Sequence, residues 1–202
     1  MSTRVSGLEY DLGASKAAAR IRAAASEIFA AKGYGSTTTR EIAASLDLSP
    51  GAVYPHYKTK ESLLFAISIE GHRTLLDHIT RVRDAHSGPT DRLRATTAAF
   101  VAWHAEHRAI AGVIQHELRS LSPEHYDLVA DVRRATTKVF DDILSAGIVA
   151  GEFQVADPSI VTLALTSLGI DVSRWFPTRA HQDADDLARR YAEIVVQLAG
   201  VG

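Results

Sequence analysis

Phe100, Trp103, His104 and His107 recur at i, i+3, i+4 and i+7, the spacing that brings side chains to one face of an α-helix. Two large aromatic rings beside two imidazoles form an apolar wall with a few polar points, the kind of surface that holds a small molecule and orients it. Tyr126, Val129, Arg133, Thr136 and Phe140 on a second segment, and Thr166, Gly169, Ile170 and Ser173 on a third, carry similar faces and are expected to line the same space; each has plain core packing as its alternative. Imidazoles titrate near neutrality, so a small helical enzyme working by acid–base chemistry is a second reading, but no nucleophile motif or carboxylate partner accompanies the wall. Eight of the nine histidines lie beyond residue 60, and His104-x-x-His107 is a possible metal pair. Without cysteine or a His-Glu-x-x-His motif, neither a metal nor a cofactor is expected.

The elements that must position these residues are helices. Helical periodicity runs from residue 16 onward and no segment alternates apolar and polar residues long enough for a sheet, so an all-α fold is expected. The 202 residues exceed the usual single-domain size, and 46% hydrophobic with 23% charged residues is an ordinary globular balance. With no cysteine, no apolar run of about 18 residues and no signal segment in Met1 to Ser15, a soluble, cytoplasmic chain without membrane association is expected. Residues 1–60 carry eight Lys/Arg against five Asp/Glu, whereas the remainder carries fourteen against nineteen. A mildly basic head on an acidic body suits an anion-seeking module carried by a larger domain.

Within the head, residues 1–15 read as a flexible arm and 16–60 as the compact module. The first helix, about Lys16 to Lys32, has its apolar stripe at Ile21, Ala24, Ala25, Ile28 and Phe29. Gly33 ends it, leaving Tyr34 to fold back onto Phe29. Thr38-x-x-Glu41 has the form of a capping box that opens a short second helix with Ile42, Ala43 and Leu46 inward. Ser49-Pro50 opens a third, which Pro55 should distort or end by about Tyr57, because it lacks the amide that would bond to Gly51. Two short helices joined by a tight turn, the second opened by small residues and followed by aromatic and basic ones, form a helix-turn-helix able to enter the major groove.

Phe29, Gly33-Tyr34, Thr38-Thr39-Arg40-Glu41-Ile42-Ala43, Leu48-Ser49, Gly51-Ala52-Val53-Tyr54, His56-Tyr57 and Lys60-Glu61 together resemble the N-terminal domain of the TetR family of transcriptional regulators. Asp47 stands where that family usually has glycine, and aspartate tolerates a left-handed turn position. The resemblance implies that Thr39 and Arg40 meet phosphate or a base edge, and that Pro50, Gly51 and Ala52 face the bases. It implies phosphate contacts for Tyr54, His56 and Lys60, whereas Tyr57 reads as a core aromatic. The implied partners are double-stranded DNA carrying a palindromic operator, a small-molecule effector and a second copy of the chain. The implied activity is repression relieved by the effector; an activator with the same head is an alternative.

Residues 61–202 are then the helical ligand-binding and dimerisation domain. A long helix capped by Thr59 runs from Lys60 to about His86, followed by segments at Asp91–His107, Ile110–Leu118, Pro123–Ala150, Pro158–Trp175 and Asp183–Leu198. Family members usually dimerise through the last two, and Val161, Leu165 and Leu168, with Leu187, Tyr191, Ile194 and Leu198, form stripes suited to that. Gly147 to Phe153, Asp157-Pro158 and Ser173-Arg174-Trp175-Phe176-Pro177 are loosely similar to regulators of lipid and sterol breakdown that sense acyl-CoA thioesters. On that resemblance Arg174 is either a CoA-phosphate contact or a charge completing the helix dipole.

Overall fold

A computed structural model of the chain describes residues 15–201, and among them there are eight α-helices and no strand. They are α1 (Lys16–Lys32), α2 (Thr39–Ala44), α3 (Lys60–Asp84), α4 (Pro89–Glu106), α5 (Arg108–His116), α6 (Pro123–Val149), α7 (Pro158–Trp175) and α8 (Ala184–Leu198), with a 3-10 turn at Leu118–Ser120. Of the arm expected over 1–15, only Ser15 lies within the described residues, where its hydroxyl accepts from Ala18 N and caps α1.

Local chemistry sets most boundaries. Gly33 ends α1 at φ 83°, and Tyr34 packs edge-on against Phe29 with ring centroids 5.2 Å apart. Thr38 and Glu41 exchange hydrogen bonds in a complete capping box at α2, and Thr59 with Ser62 does the same at α3. The acid thus works as a cap, and the Thr38 bonds, joined by Lys32, hold the Glu41 carboxyl below its usual range. Asp47 adopts the left-handed conformation, φ 56°. Pro123, Pro158 and Pro89 each occupy a first helical turn, where a missing amide costs nothing.

The third helix expected from Pro50 is replaced by consecutive turns. Ala52, Tyr54 and His56 donate to carbonyls three residues back (Ser49, Gly51 and Val53, 2.9–3.2 Å), and only Tyr57 reaches four back, to Val53. Pro55 explains the departure: the Gly51 carbonyl cannot find its α-helical donor there and takes Tyr54 N instead.

In the body α4 is the central helix, with α3, α6, α7 and α8 packed around it, while α1 of the head rests against α3 and α5. One apolar cluster runs continuously from Ile21, Phe29 and Ile42 to Phe100, Phe140 and Leu144. A smaller one, Val101, Ala105, Val172, Phe176, Leu187 and Ala188, fills the junction of α4, α7 and α8. Arg22 on α1 clamps Glu70 on α3 through two contacts of 2.5 and 2.8 Å and gives a third, at 2.6 Å, to the Tyr57 hydroxyl.

Candidate functional site

On the turn segment, Val53 and Tyr57 point inward and are buried, which leaves Pro50, Gly51 and Tyr54 exposed and Ala52 and His56 half-buried. Tyr54 is 50% exposed, whereas the Tyr57 hydroxyl is spent on Arg22 and the Ala18 carbonyl. Thr39 and Arg40 sit in the first turn of α2, half-buried and exposed respectively. The head therefore presents small residues and a phenol outward, beside a guanidinium at a helix start. Free amides there attract phosphate.

Lys60 is placed differently from the expectation of a phosphate contact. Its Nζ donates to the Tyr34 and Thr37 carbonyls at 2.8 and 2.9 Å and lies 4.3 Å from the Tyr34 ring centroid. These carbonyls lie between α1 and α2, so the ammonium ties the start of α3 to the head. The next residue faces the body: Glu61 accepts from Ser122 N at 2.9 Å and lies 2.8 Å from His125 Nδ1, while the His125 ring stacks on Phe65 at 3.8 Å. Consecutive residues thus fasten head and body to the same helix end.

The aromatic–histidine face on α4 divides. Phe100 and His104 are buried inside the body, Phe100 edge-on to Phe140 at 5.5 Å, and His104 Nδ1 lies 2.8 Å from the Phe100 carbonyl. Gly169 on α7 permits this packing, since a Cβ there would come within 2.7 Å of the Phe100 ring. Trp103 is also buried, edge-on to His104 at 5.1 Å and stacked on His107 at 4.9 Å, and Trp103 and His107 border a surface groove of about 750 Å³ with Thr74, His78 and Arg81 of α3 and Asp185 and Arg189 of α8. Tyr126 is largely exposed, Thr166 and Ile170 are half-buried, and the Thr166 hydroxyl returns to the Thr162 carbonyl. Arg133 donates to Gln115 Oε1 at 2.6 Å. Arg174 pairs with Asp171 on its own helix, an exposed contact at 2.7 Å.

His72 on α3 belongs with this interior group, although the sequence reading passed over it. Its Nε2, like that of His104, is buried without a hydrogen-bond partner. Burial, with the nearby Arg133 charge adding to it, pushes the His72 pKa to about 3 and that of His104 to about 4. The available signal was a polar residue set between Ile69 and Leu76 on an otherwise apolar helical stripe. Among the described residues no three His, Asp or Glu side chains converge as a metal site, and no helix is long and apolar enough to cross a membrane.

The expected dimer stripes need correction. Val161, Leu165 and Leu187 point into the protomer's own core. On α8 the stripe changes role along its length: Leu187 is 3% exposed beneath Phe176 and Val172, Tyr191 is half-buried, and Ile194 and Leu198 are 47% and 48% exposed. On α7 the outward apolar residues are Ile160, Leu163 and Leu168, so of the apolar side chains expected there to face a partner only Leu168 is exposed.

With this geometry the family models agree. The model for bacterial regulatory proteins of the tetR family matches residues 21–67, and that for the tetracyclin repressor-like C-terminal domain matches residues 86–199. The chain belongs to the TetR family of transcriptional regulators. It is 61% identical to a tetR-family bacterial regulatory protein from Rhodococcus RHA1, whose crystal structure superposes with a TM-score of 0.90 over 93% of this chain and 99% of that one. It is 26% identical to the HTH-type transcriptional repressor KstR2 of Mycolicibacterium smegmatis over 85% of each chain. The fold is shared with AibR, solved in complex with isovaleryl coenzyme A and operator DNA (21% identity, TM-score 0.79, 91% of this chain and 100% of that one).

Proposed function

We propose that the protein is a repressor that binds a palindromic operator as a C2 dimer and leaves it when a hydrophobic metabolite, of the acyl-CoA class, occupies the body. The observation that carries this reading is the outward set Pro50, Gly51, Ala52 and Tyr54 beside Arg40, held by the inward anchors Val53 and Tyr57. Glycine and alanine let backbone approach a groove floor, the Ala52 methyl can meet a thymine methyl, and Arg40, Tyr54 and His56 lie at its edges as phosphate contacts. Residues 16–60 are the DNA-binding domain in this reading, and residues 61–202 take effector and partner.

The dimer surface is Ile160, Leu163 and Leu168 of α7 with Ile194 and Leu198 of α8, apolar side chains that a second copy would cover. AibR, crystallised with both isovaleryl coenzyme A and operator DNA, supports the effector class. Lys60 and Glu61 are the mechanical link: a shift of α6 against α3 is felt at Glu61 and passed, one residue on, to the carbonyls that Lys60 holds. Selection from a random duplex library should enrich an inverted repeat, and light scattering should report a dimer. A library that returns no inverted repeat would overturn the reading.

A further inference from the structure

Two buried imidazoles and a half-buried guanidinium come together between α3, α4 and α6 without a complete set of partners. His72 and His104 each have an Nε2 without a hydrogen-bond partner, and both residues are more than nine-tenths buried. Arg133 has a neutral partner, Gln115, but no carboxylate among the described residues forms an ion pair with it. Thr97, seven residues before His104 on the same helix face, is fully buried with an unpartnered hydroxyl. A guanidinium partly withdrawn from water without a counter-charge is costly, as is each unmatched imidazole nitrogen. A metal cation does not answer this need, because Arg133 repels it.

Resting on the reading of an effector-released repressor, we propose that this cluster binds an ionised acid group of the effector and that binding takes up a proton from solvent. Arg133 supplies the charge-assisted donors. His104 Nδ1 faces the Phe100 carbonyl at 2.8 Å and so carries the hydrogen, leaving Nε2 a bare lone pair that repels an anion. A solvent proton added at that nitrogen, at the matching nitrogen of His72, or at the acid itself, turns the repulsion into a hydrogen bond. Burial keeps both imidazoles neutral before the anion arrives, with Arg133 adding to the effect. The other charged or titratable groups around the cluster are His107 at the junction of α4 and α5 and Tyr126 on α6. The Asp171–Arg174 pair of α7 is exposed, and Asp185 and Arg189 of α8 border the separate groove at Trp103.

The test is calorimetry on the full chain with hexanoate, decanoate and 4-phenylbutyrate, each as free acid, methyl ester and coenzyme A thioester, in PIPES and Bis-Tris buffers, which differ in ionisation enthalpy, at pH 6.5 and 7.5. At least one acid-bearing form should bind at least tenfold more tightly than its methyl ester. Uptake of one proton makes affinity fall about tenfold per pH unit, and His107→Gln should leave that slope intact. Arg133→Gln should lose at least tenfold in affinity, Arg133→Lys should recover part of it, and should the first variant melt early, Gln115→Leu with Arg133→Lys carries the test. Binding of the free acid would place its carboxylate at Arg133, whereas Arg133-dependent binding of the thioester alone would place a phosphate there. Equal binding of the esters, no proton uptake, no binding by any acid-bearing form, or unchanged affinity in a folded Arg133→Gln protein each overturns the proposal. Anisotropy of labelled operator separates the two readings: a probe that binds through Arg133 without releasing operator overturns the effector reading and leaves the acid site standing.

Discussion

Head and body place their polar chemistry in opposite ways. In the head, Pro50, Gly51 and Tyr54 face solvent from a run of turns, and the buried side chains Val53 and Tyr57 serve as anchors beneath them. In the body, His72, His104 and Thr97 are enclosed while the surface around them is ordinary. An exposed reader of DNA exchanges water for phosphate and base edges at little desolvation cost, so it can be assembled from short-range caps and turns. An enclosed cluster holds its polar atoms away from water before any ligand arrives, at a cost that a complementary group then relieves. In the proposed reading, specificity in the first case comes from shape in a groove, in the second from matching unpaired atoms.

This contrast predicts that truncating a buried body side chain damages folding, whereas altering an outward side chain of the turn segment damages binding alone. Trp103→Ala should lower stability by about 3–5 kcal/mol, since the indole is buried, and operator binding should fall with it; an unchanged melting temperature would show that Trp103 borders open space instead. Ala52→Glu should leave the melting curve alone and weaken operator binding by at least about a hundredfold, because a carboxylate among phosphates costs several kcal/mol. Retained affinity there would remove the turn segment from the groove.

The same test applies along one stripe of α8. Leu187→Asp should unfold the protomer, because it buries a carboxylate under Phe176. Ile194→Asp should leave a folded protomer that light scattering finds monomeric. A persistent Ile194→Asp dimer would move the contact to another surface.

Acid should also distinguish the regions. The unfolded chain protonates both histidines below about pH 6.5, while the folded chain keeps His72 and His104 neutral down to about 3 and 4. The unfolded state therefore binds more protons in that window, and stability falls as pH is lowered from 6.5 toward 4, by up to about 1.4 kcal/mol per unit for each histidine. Urea melts at pH 7 and 5 should show this, and the loss should shrink in His72→Gln; identical losses in the two proteins would refute it. The smallest effect concerns Lys60→Met, which should cost about 1–2 kcal/mol through the hydrogen bonds to Tyr34 and Thr37. Operator binding by this variant should keep its salt dependence; a slope reduced by about one counterion would put Nζ on a phosphate.

What the amino-acid order determined by itself was everything decided within about four residues: the capping boxes at Thr38 and Thr59, the Gly33 stop with Tyr34 on Phe29, the left-handed Asp47, and the broken helix at Pro55. Each depends on a bond or clash between near neighbours, so the helix order and the turns of the head were legible without tertiary information. Only the tertiary structure decided which half of the α8 stripe is core, that His72 joins His104 and Arg133, that Trp103 and His107 border a surface groove while Phe100 and His104 lie inside, and that Lys60 grips two carbonyls. Helical periodicity marks an apolar side and is silent about what lies against it. Phe176 covers Leu187 and stops short of Ile194, and that coverage comes from a segment remote in sequence, as does the approach of α3 to α6 that gathers the buried polar groups.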